Sequence, residues 1–510
     1  ERAGLPCNDR VAHAAKPKGA TMTNTRKART ALLGLHLAGV TAAGLGLSLI
    51  ASSVAGAAAS YPSDASKPDL KAALAAFELR WDSSGRDDLH GRVKDAGVLA
   101  WNDRLTSWIN TNATAAQRFR ALQDAEYRAS NGTGYDQSLT IGDGLGRSLG
   151  ALYVEGRLTG KLPLTSKLLN NTNGSAGRYL TTGALKARFS YPRPYLNVDP
   201  RAARVKGDSA ACAPSKVNAS SLKSIRKGRP WADAAGNLRV SRVAGTVDTT
   251  RRFATVDVAL DAGYGSSGLC TGGSFPSGHT TSAYLSGVTL ATLLPELAPS
   301  ILARTSEAAN NRIVLGVHYP IDIIGGRIVG QAGVTQRWVD KKFRDAQILP
   351  ARAELVRYLE RTCGAALTVC IARDTPYRID PFGGGRLPGG TSQRVTDRAS
   401  ALAVYTERLG YGFSTPGSAR PASAPKQAEY LLVSAFPTLS LKQRRAVLSQ
   451  TETRSGHALD TTPRSGVFSK GPGSWRRLNL AAAMSATVRV SATGAVSVLS
   501  TGGAPTVIRG

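Results

Sequence analysis

The chain has 510 residues, with 65 Lys and Arg against 35 Asp and Glu, a formal charge of +30 and 42% hydrophobic residues. The basic residues are mostly Arg and are scattered, without a dense run or an aromatic-interleaved patch, which excludes a nucleic-acid module. After residue 59 no comparable apolar run appears, which argues against an integral-membrane enzyme.

Residues 1–21 read as low-information sequence ahead of Met22, an upstream leader or a translation artefact. From Met22 the pattern is that of a signal peptide over 22–59: Arg26, Lys27 and Arg29, an apolar run from Ala31 to Ile50, then small residues that place cleavage after Ala57 or Ala59. A membrane anchor is the rival reading, because Ala31–Ala59 is long enough to span; its Gly, Ser and Thr content and small-residue end favour cleavage. The first 59 residues carry seven Lys and Arg and two Asp and Glu, so the remainder keeps a charge of +25. Such a charge attracts anionic substrates, cell-wall polymers or membrane surfaces. The remaining length is enough for a large core and more than one folding unit.

Helical patterns cover Leu70–Leu79 and Ala115–Tyr127, and Trp81, Trp101 and Trp108 read as packing residues. Asn131–Gly134 is a loop. Ser138–Leu169 reads as helix followed by a turn, with Gly144 and Gly146 marking close helix packing. Thr181–Phe189 is again helical, and Pro192 and Pro194 force the chain out of helix. Lys186 and Arg193 then meet near the helix end, either as two solvated cations or as a point charge and a planar fork on one phosphate. The next 81 residues, up to Pro276, are rich in Ser, Ala, Gly and Asn, with a hairpin expected between Leu238–Ala244 and Phe253–Leu260.

Gly272–Thr281 reads GGSFPSGHTT. Ser277 is placed to cap a helix, Gly278 lets the backbone approach a ligand, and Tyr284, Leu285, Val288 and Ala291 continue the helix to near Pro295. The first N–H groups of such a helix favour phosphate-like anions, and His279 exchanges a proton near neutral pH. Taken alone, the stretch reads equally as a loop-to-helix turn with a solvent-facing histidine. A helix is expected from Ile301 to Val317, a break at Pro320, and another helix over Ile321–Lys342. His318 falls at the junction and Asp322 in the first turn beyond it, where a carboxylate holds one ring nitrogen and leaves the other as a nucleophile.

Cys212, Cys270, Cys363 and Cys370 are an even set, which in an exported chain indicates two disulfides: Cys363–Cys370 by proximity and Cys212–Cys270 across the long insertion. No C-x2-C pair or His-rich set argues for structural zinc. Beyond Cys370, the Gly- and Pro-rich stretches 381–390 and 414–425 read as turns or linkers, with helices over Ser392–Leu409, Lys426–Ala435 and Leu441–Thr451 and a small hairpin at Thr487–Ser500. Arg454–His457 (RSGH) echoes the central motif but lacks its proline and following helix, and reads as a surface turn.

Together, K-x6-R-P (Lys186, Arg193, Pro194), PSGH (Pro276–His279) and R-x5-H-x3-D (Arg312, His318, Asp322) form a three-part signature. The chain resembles the superfamily of type 2 phosphatidic acid phosphatases, class A acid phosphatases and vanadium haloperoxidases over about Tyr135–Asp345, and GGSFPSGHT is closest to the secreted bacterial acid phosphatase form. The resemblance implies a mostly α-helical bundle with a phosphate- or vanadate-type pocket: a catalytic domain over 60–372 with a loop and hairpin insertion at 195–271, and a helical C-terminal extension over 373–510. It implies an exported, metal-independent phosphomonoesterase without a cofactor, acting on phosphomonoesters or lipid phosphates. Lys186, Arg193, Arg312, Ser277 and the Gly278 N–H would bind the phosphoryl group. His318, oriented by Asp322, would attack phosphorus, and a charged His279 would protonate the leaving oxygen. Two departures stand out: Asn311 occupies a position where the family commonly has serine, and the insertion is long. A vanadate-dependent haloperoxidase and a non-catalytic protein that binds cell-wall phosphopolymers remain alternative readings of the same pocket.

Overall fold

The computed structural model describes residues 61–83, 91–125, 136–170, 174–177, 180–194, 208–212, 220–417, 424–462 and 473–510. The expected leader and signal peptide (1–59), the loop at 131–134 and much of the insertion before residue 220 lie outside the described residues. The described helices include α1 (Ala96–Asn112), α2 (Ala115–Ala125), α3 (Arg147–Leu158), α4 (Gly183–Phe189), α5 (Gly278–Leu293), α6 (Ala298–Val314), α7 (Pro320–Val339), α8 (Leu349–Cys363), α9 (Arg398–Gly410) and α10 (Leu441–Thr451).

Helix α6 is buried at every one of its 17 residues. Its apolar positions, among them Ile301, Leu302, Ala308, Ala309 and Ile313, join the main core, but it also carries Arg304, Glu307, Asn310, Asn311 and Arg312. Polar groups taken out of water need partners, and the surrounding elements supply them to Arg304, Glu307, Asn310 and Asn311. Arg304 binds the Asp124 carboxylate at 2.9 Å through Nη1 and donates to the Thr140 carbonyl at 3.1 Å. Arg120 forms a two-pronged pair with Glu307 at 2.8 and 2.9 Å. The Tyr411 hydroxyl donates to Asn310 at 3.1 Å. Helix α7 lies along α5 at very close range: a Cβ on Gly326 would stand 2.6 Å from the Ser277 carbonyl oxygen, and one on Gly330 would stand 2.7 Å from Tyr284 Cβ. Only glycine permits that approach.

The boundaries depart from expectation where local chemistry intervenes. Leu70–Leu79 divides into an α-turn (Leu70–Leu74) and a 3-10 turn (Ala75–Leu79). The stretch from 138 to 169 is broken at Gly146, which has φ +113°, and α3 starts there because the Asp374 carboxylate accepts the N–H groups of Ser148 and Leu149. Gly144 lies against α6, 2.7 Å from Ile301 Cα to an added Cβ. Pro320 begins a helix instead of breaking the chain, since its missing N–H is not needed at a first helical position. The expected hairpin exists with a displaced first strand: β1 (Thr246–Asp248) pairs antiparallel with β2 (Val258–Leu260), Val247 opposite Ala259. The backbone at 239–241 is engaged by α1 instead, through Ser107 Oγ to the Arg239 carbonyl (2.7 Å) and through Asn110 to both the N–H and the carbonyl of Ser241.

The insertion is anchored on both sides. Arg226 binds Asp103 of α1 through Nε and Nη2, both at 2.8 Å, and Nη2 also donates to the Tyr319 hydroxyl at 3.0 Å. The Tyr264 hydroxyl donates to the Leu315 carbonyl at 2.7 Å. Both expected cysteine pairs stand at bonding distance, Cys212–Cys270 with Cα atoms 4.8 Å apart and Cys363–Cys370 with Cα atoms 6.2 Å apart.

Ser60–Gly510 forms one compact unit, so residues 373–510 are not a second folding unit. They complete the core around α6 and α7: Arg408 of α9 donates to Ser306 Oγ at 3.2 Å, and Arg327 of α7 donates to the Arg476 carbonyl at 2.9 Å. Helix α9 begins at Arg398 because Asp397 caps it, and in the 426–435 stretch only Ala428–Leu432 is helical, as a 3-10 turn. The terminal hairpin gains a third strand: β3 (Thr487–Val490) lies between β4 (Val496–Ser500), antiparallel, and β5 (Thr506–Arg509), parallel. The turn at Arg454–His457 is not a surface turn. His457 is 2% exposed, accepts the Leu459 N–H at Nδ1 (3.0 Å) and packs its ring on Phe413.

Two expectations follow. Burial, then Arg476, hold His457 well below the usual histidine range. The unfolded chain therefore takes up a proton below about pH 6.5 that the native state does not, and stability falls with acidification at up to about 1.4 kcal/mol per pH unit for this group. His457→Gln should flatten the decline in unfolding free energy between about pH 6.5 and 5, measured by denaturant titration, by up to that slope. Arg226→Met, which leaves Asp103 buried without its cation, should cost about 3–5 kcal/mol. Adding Asp103→Leu should recover most of that loss by the same measurement.

Candidate active site

The three motifs interlock through backbone groups before any side-chain chemistry is considered. Helix α4 ends at Ser190, which has φ +43°, and the chain then runs beside the Gly272–Ser274 segment, where the Ser274 N–H donates to the Tyr191 carbonyl at 2.7 Å. Lys186, in the last turn of α4, donates Nζ to the carbonyls of Gly273 (2.7 Å) and Ser274 (3.1 Å). Arg193 donates to the carbonyls of Gly272 (3.1 Å), Gly273 (3.3 Å) and Val317 (2.9 Å). Gly273 has to be glycine: a Cβ there would meet the Lys186 carbonyl oxygen at 2.8 Å. The Ser277 N–H donates to the Asp322 carbonyl at 3.1 Å, which ties the second motif to the third. Beneath the junction, Phe275 stacks on Phe77 at 3.8 Å and meets Phe189 edge-on, while Tyr191 packs on Tyr319 at 5.1 Å.

Ser277 caps α5, accepting from the Thr280 N–H (3.3 Å) and the Thr280 hydroxyl (2.9 Å). Its hydroxyl is therefore engaged locally and buried, and Gly278 and His279 occupy the first helical positions. Arg312 lies in the last turn of α6, fully buried. The chain leaves α6 through Gly316 (φ +69°) and reaches His318 just before Pro320.

His318 is 1% exposed. Its Nδ1 lies 3.1 Å from Asp322 Oδ2, which also accepts the Tyr319 N–H at 2.9 Å, and its Nε2 lies 3.2 Å from Arg193 Nη1. A guanidinium only donates, so Nε2 is the accepting nitrogen and Nδ1 carries the hydrogen toward the carboxylate. Burial, then Arg193, Lys186 and Arg312, hold His318 well below the usual histidine range. Burial pushes the Asp322 carboxyl up to about 7, against the pull of the Tyr319 N–H, Lys186 and Arg193. Half-buried His279 places Nε2 3.2 Å from the Ala125 carbonyl at the end of α2. Burial and then Arg312 hold it low as well. The site therefore holds a neutral imidazole with a lone pair among three fixed cations, and a second imidazole that senses the same positive field.

The sequence-predicted residues Lys186, Arg193, His318 and Asp322 meet in one hydrogen-bonded cluster, with Ser277 and Gly278 at the adjoining helix start; Arg312 acts on it through its charge, and His279 reaches the Ala125 carbonyl instead. Asn311 does hydrogen-bond, but away from this cluster: its Nδ2 donates to Asp124 Oδ2 at 2.7 Å and its Oδ1 accepts from Gln117 at 2.5 Å. It helps hold the turn of α6 from which Arg312 extends. The carbonyl cradle of Gly272–Ser274, and Tyr319 with its Arg226–Asp103 anchor, were not singled out from sequence. Carbonyls carry no residue signature, and Arg226 lies 123 positions from Asp103 in a stretch without periodicity.

Residues 169–344 match the family model described as the PAP2 superfamily. An acid phosphatase of Zymomonas mobilis is 33% identical over 116 residues, covering 23% of this chain and 44% of that protein. A non-specific acid phosphatase of Providencia stuartii is 29% identical over 123 residues, 24% of this chain and 49% of that protein. The chain thus spans about half the length of these curated relatives. The matched segment contains all three motifs, from before Lys186 to beyond Asp322.

Proposed function

We propose that this protein is an exported phosphomonoesterase that works without a metal, through a phosphohistidine at His318. The observation that carries this reading is the state of His318: Nδ1 directed at Asp322 and the Nε2 lone pair beside Arg193. The signal-peptide pattern at 22–59 and the two cysteine pairs support export. The names of the two bacterial relatives support a phosphate-ester substrate. The strong positive charge supports association with anionic cell-wall or membrane surfaces.

In the first half-reaction, Nε2 of His318 forms a bond to phosphorus as the ester P–O bond breaks, and the leaving oxygen takes a proton from His279. In the second, water attacks phosphorus, His279 accepts its proton, the N–P bond breaks and orthophosphate departs. Charge in such a transfer lies on the equatorial oxygens, and fixed donors there supply most of the catalysis. Lys186, Arg193, Arg312 and the first N–H groups of α5 fill that role, and these cations do the work a metal would otherwise do. His279 needs its proton only when substrate is present. A phosphoryl dianion offsets the cations that hold its affinity down, so its protonation follows substrate binding. General acid help of this kind is worth roughly 10²–10⁴-fold.

His318→Ala should abolish turnover of an aryl phosphate, and acid-labile phosphate should map to the His318 peptide of the quenched native enzyme. An adduct on Ser277 would refute the assignment. Hydrolysis should persist with chelators and be blocked by vanadate, which fills the cage as a phosphate mimic. Vanadate-stimulated bromide or chloride oxidation by peroxide, with negligible ester hydrolysis, would make the protein a haloperoxidase instead.

A further inference from the structure

A second concentration of positive charge lies away from the motif residues. A cavity of about 390 Å³ is lined by Arg120, Arg147, Arg252 and Arg378, with Asp143 and Tyr377 among its other walls. The four arginines come from four segments: α2, the first position of α3, the loop between β1 and β2, and the stretch between α8 and α9. Asp143 is the one acid among the described lining residues; with Glu307 behind Arg120 and Asp374 against Gly146 also counted, the four arginines keep a net charge of +1. A larger cavity of about 620 Å³ near α4 shows the contrast: there Lys71, Lys94 and Arg188 are countered by Glu78 and Asp82, with Arg188 bound to Glu78.

Two of the arginines, Arg120 and Arg252, are held in place by carboxylates. Asp143 pairs with Arg252 at 2.7 Å and with Arg120 at 3.2 Å. Arg120 is also gripped by Glu307, which takes the Tyr377 hydroxyl as well. Arg147 and Arg378 stand exposed at the rim, with Arg378 steadied by the Thr396 carbonyl at 3.2 Å. The N–H groups at the start of α3 are already taken by Thr375 and Asp374, so the guanidinium groups, not the helix end, provide the attraction. Like charges gathered around one small cavity repel each other, and an anion between them turns that repulsion into binding. Planar forks from four segments suit an anion that offers several oxygens, phosphate above all.

The cavity is distinct from the candidate active site. Glu307 and Arg312 are five residues apart on α6, which puts them about 7.5 Å apart along the axis and about 140° apart around it. The geometry points to a second anion-binding site in this pocket, for a compact phosphate-type anion with two or more negative charges, free in solution. It stands independently of the proposed hydrolysis.

Calorimetric titration of the full chain with methylenediphosphonate, which a phosphatase does not cleave, tests this at low ionic strength. Two binding events are expected. Arg147→Ser/Arg378→Ser, at two exposed positions, should weaken one of them at least tenfold and leave kcat/KM for an aryl phosphate unchanged. Arg193→Ala should remove the other event and spare this one. A single event abolished by Arg193→Ala, or two events untouched by the double substitution, would overturn the site. A single event that survives Arg193→Ala and is lost in the double variant would support this pocket while counting against the catalytic reading.

Discussion

Everything in this fold answers to one demand: α6 is buried from end to end and yet carries two arginines, a glutamate and two asparagines. A helix of that composition is stable inside a protein only if each polar group is met. Asp124 meets Arg304 and Asn311, Arg120 and Gln117 meet Glu307, and Tyr411 meets Asn310. These partners come from α2 and from the segment after α9, so the same ion pairs that make α6 tolerable also fix which elements surround it. Breaking one partner strands a charge, which makes the arrangement specific as well as stable. Arg312 is positioned by this specificity, one residue beyond an asparagine clamped on both sides.

Around that fixed helix, the site is built mostly from main chain. Six carbonyls (Tyr191, Gly272, Gly273, Ser274, Val317 and Asp322) and two backbone N–H groups (Ser274 and Ser277) bring the motifs together, and glycines allow the distances. Burial first, and then the concentration of cations, pushes both histidines toward neutrality. For His318 this favours nucleophilicity, because its Nε2 lone pair is kept. For His279 it ties protonation to the charge of whatever occupies the site.

How much of this was legible in the sequence differs by residue. Lys186, Arg193, His279, Arg312, His318 and Asp322 could be read because each motif is short and its residue types are unusual together; that Arg193 comes within 3.2 Å of His318 is what the fold adds. The two cysteine pairs were legible by count and proximity. The burial of His457 was not, because it depends on Phe413 and Gly410, which are more than forty residues away. The displaced strand was not legible either: the alternation over 238–244 is real, but side chains of α1 took its backbone partners. The integration of residues 373–510 was hidden for the same reason. Arg408 and Tyr411 look like ordinary polar residues until Ser306 and Asn310 are seen to need them.

The hydrogen bond from Arg193 to the Gly272 carbonyl has a consequence for how such a protein diversifies. The two residues flank the insertion, so that segment leaves and rejoins the site at a single point, with the Cys212–Cys270 pair close to its return. Closing a longer loop across fixed ends costs little, about 0.6 kcal/mol for each doubling of length. Between its anchors at Arg226 and Tyr264 the insertion can therefore change length at little cost, while the cluster of Lys186, Arg193, His318 and Asp322 keeps its geometry.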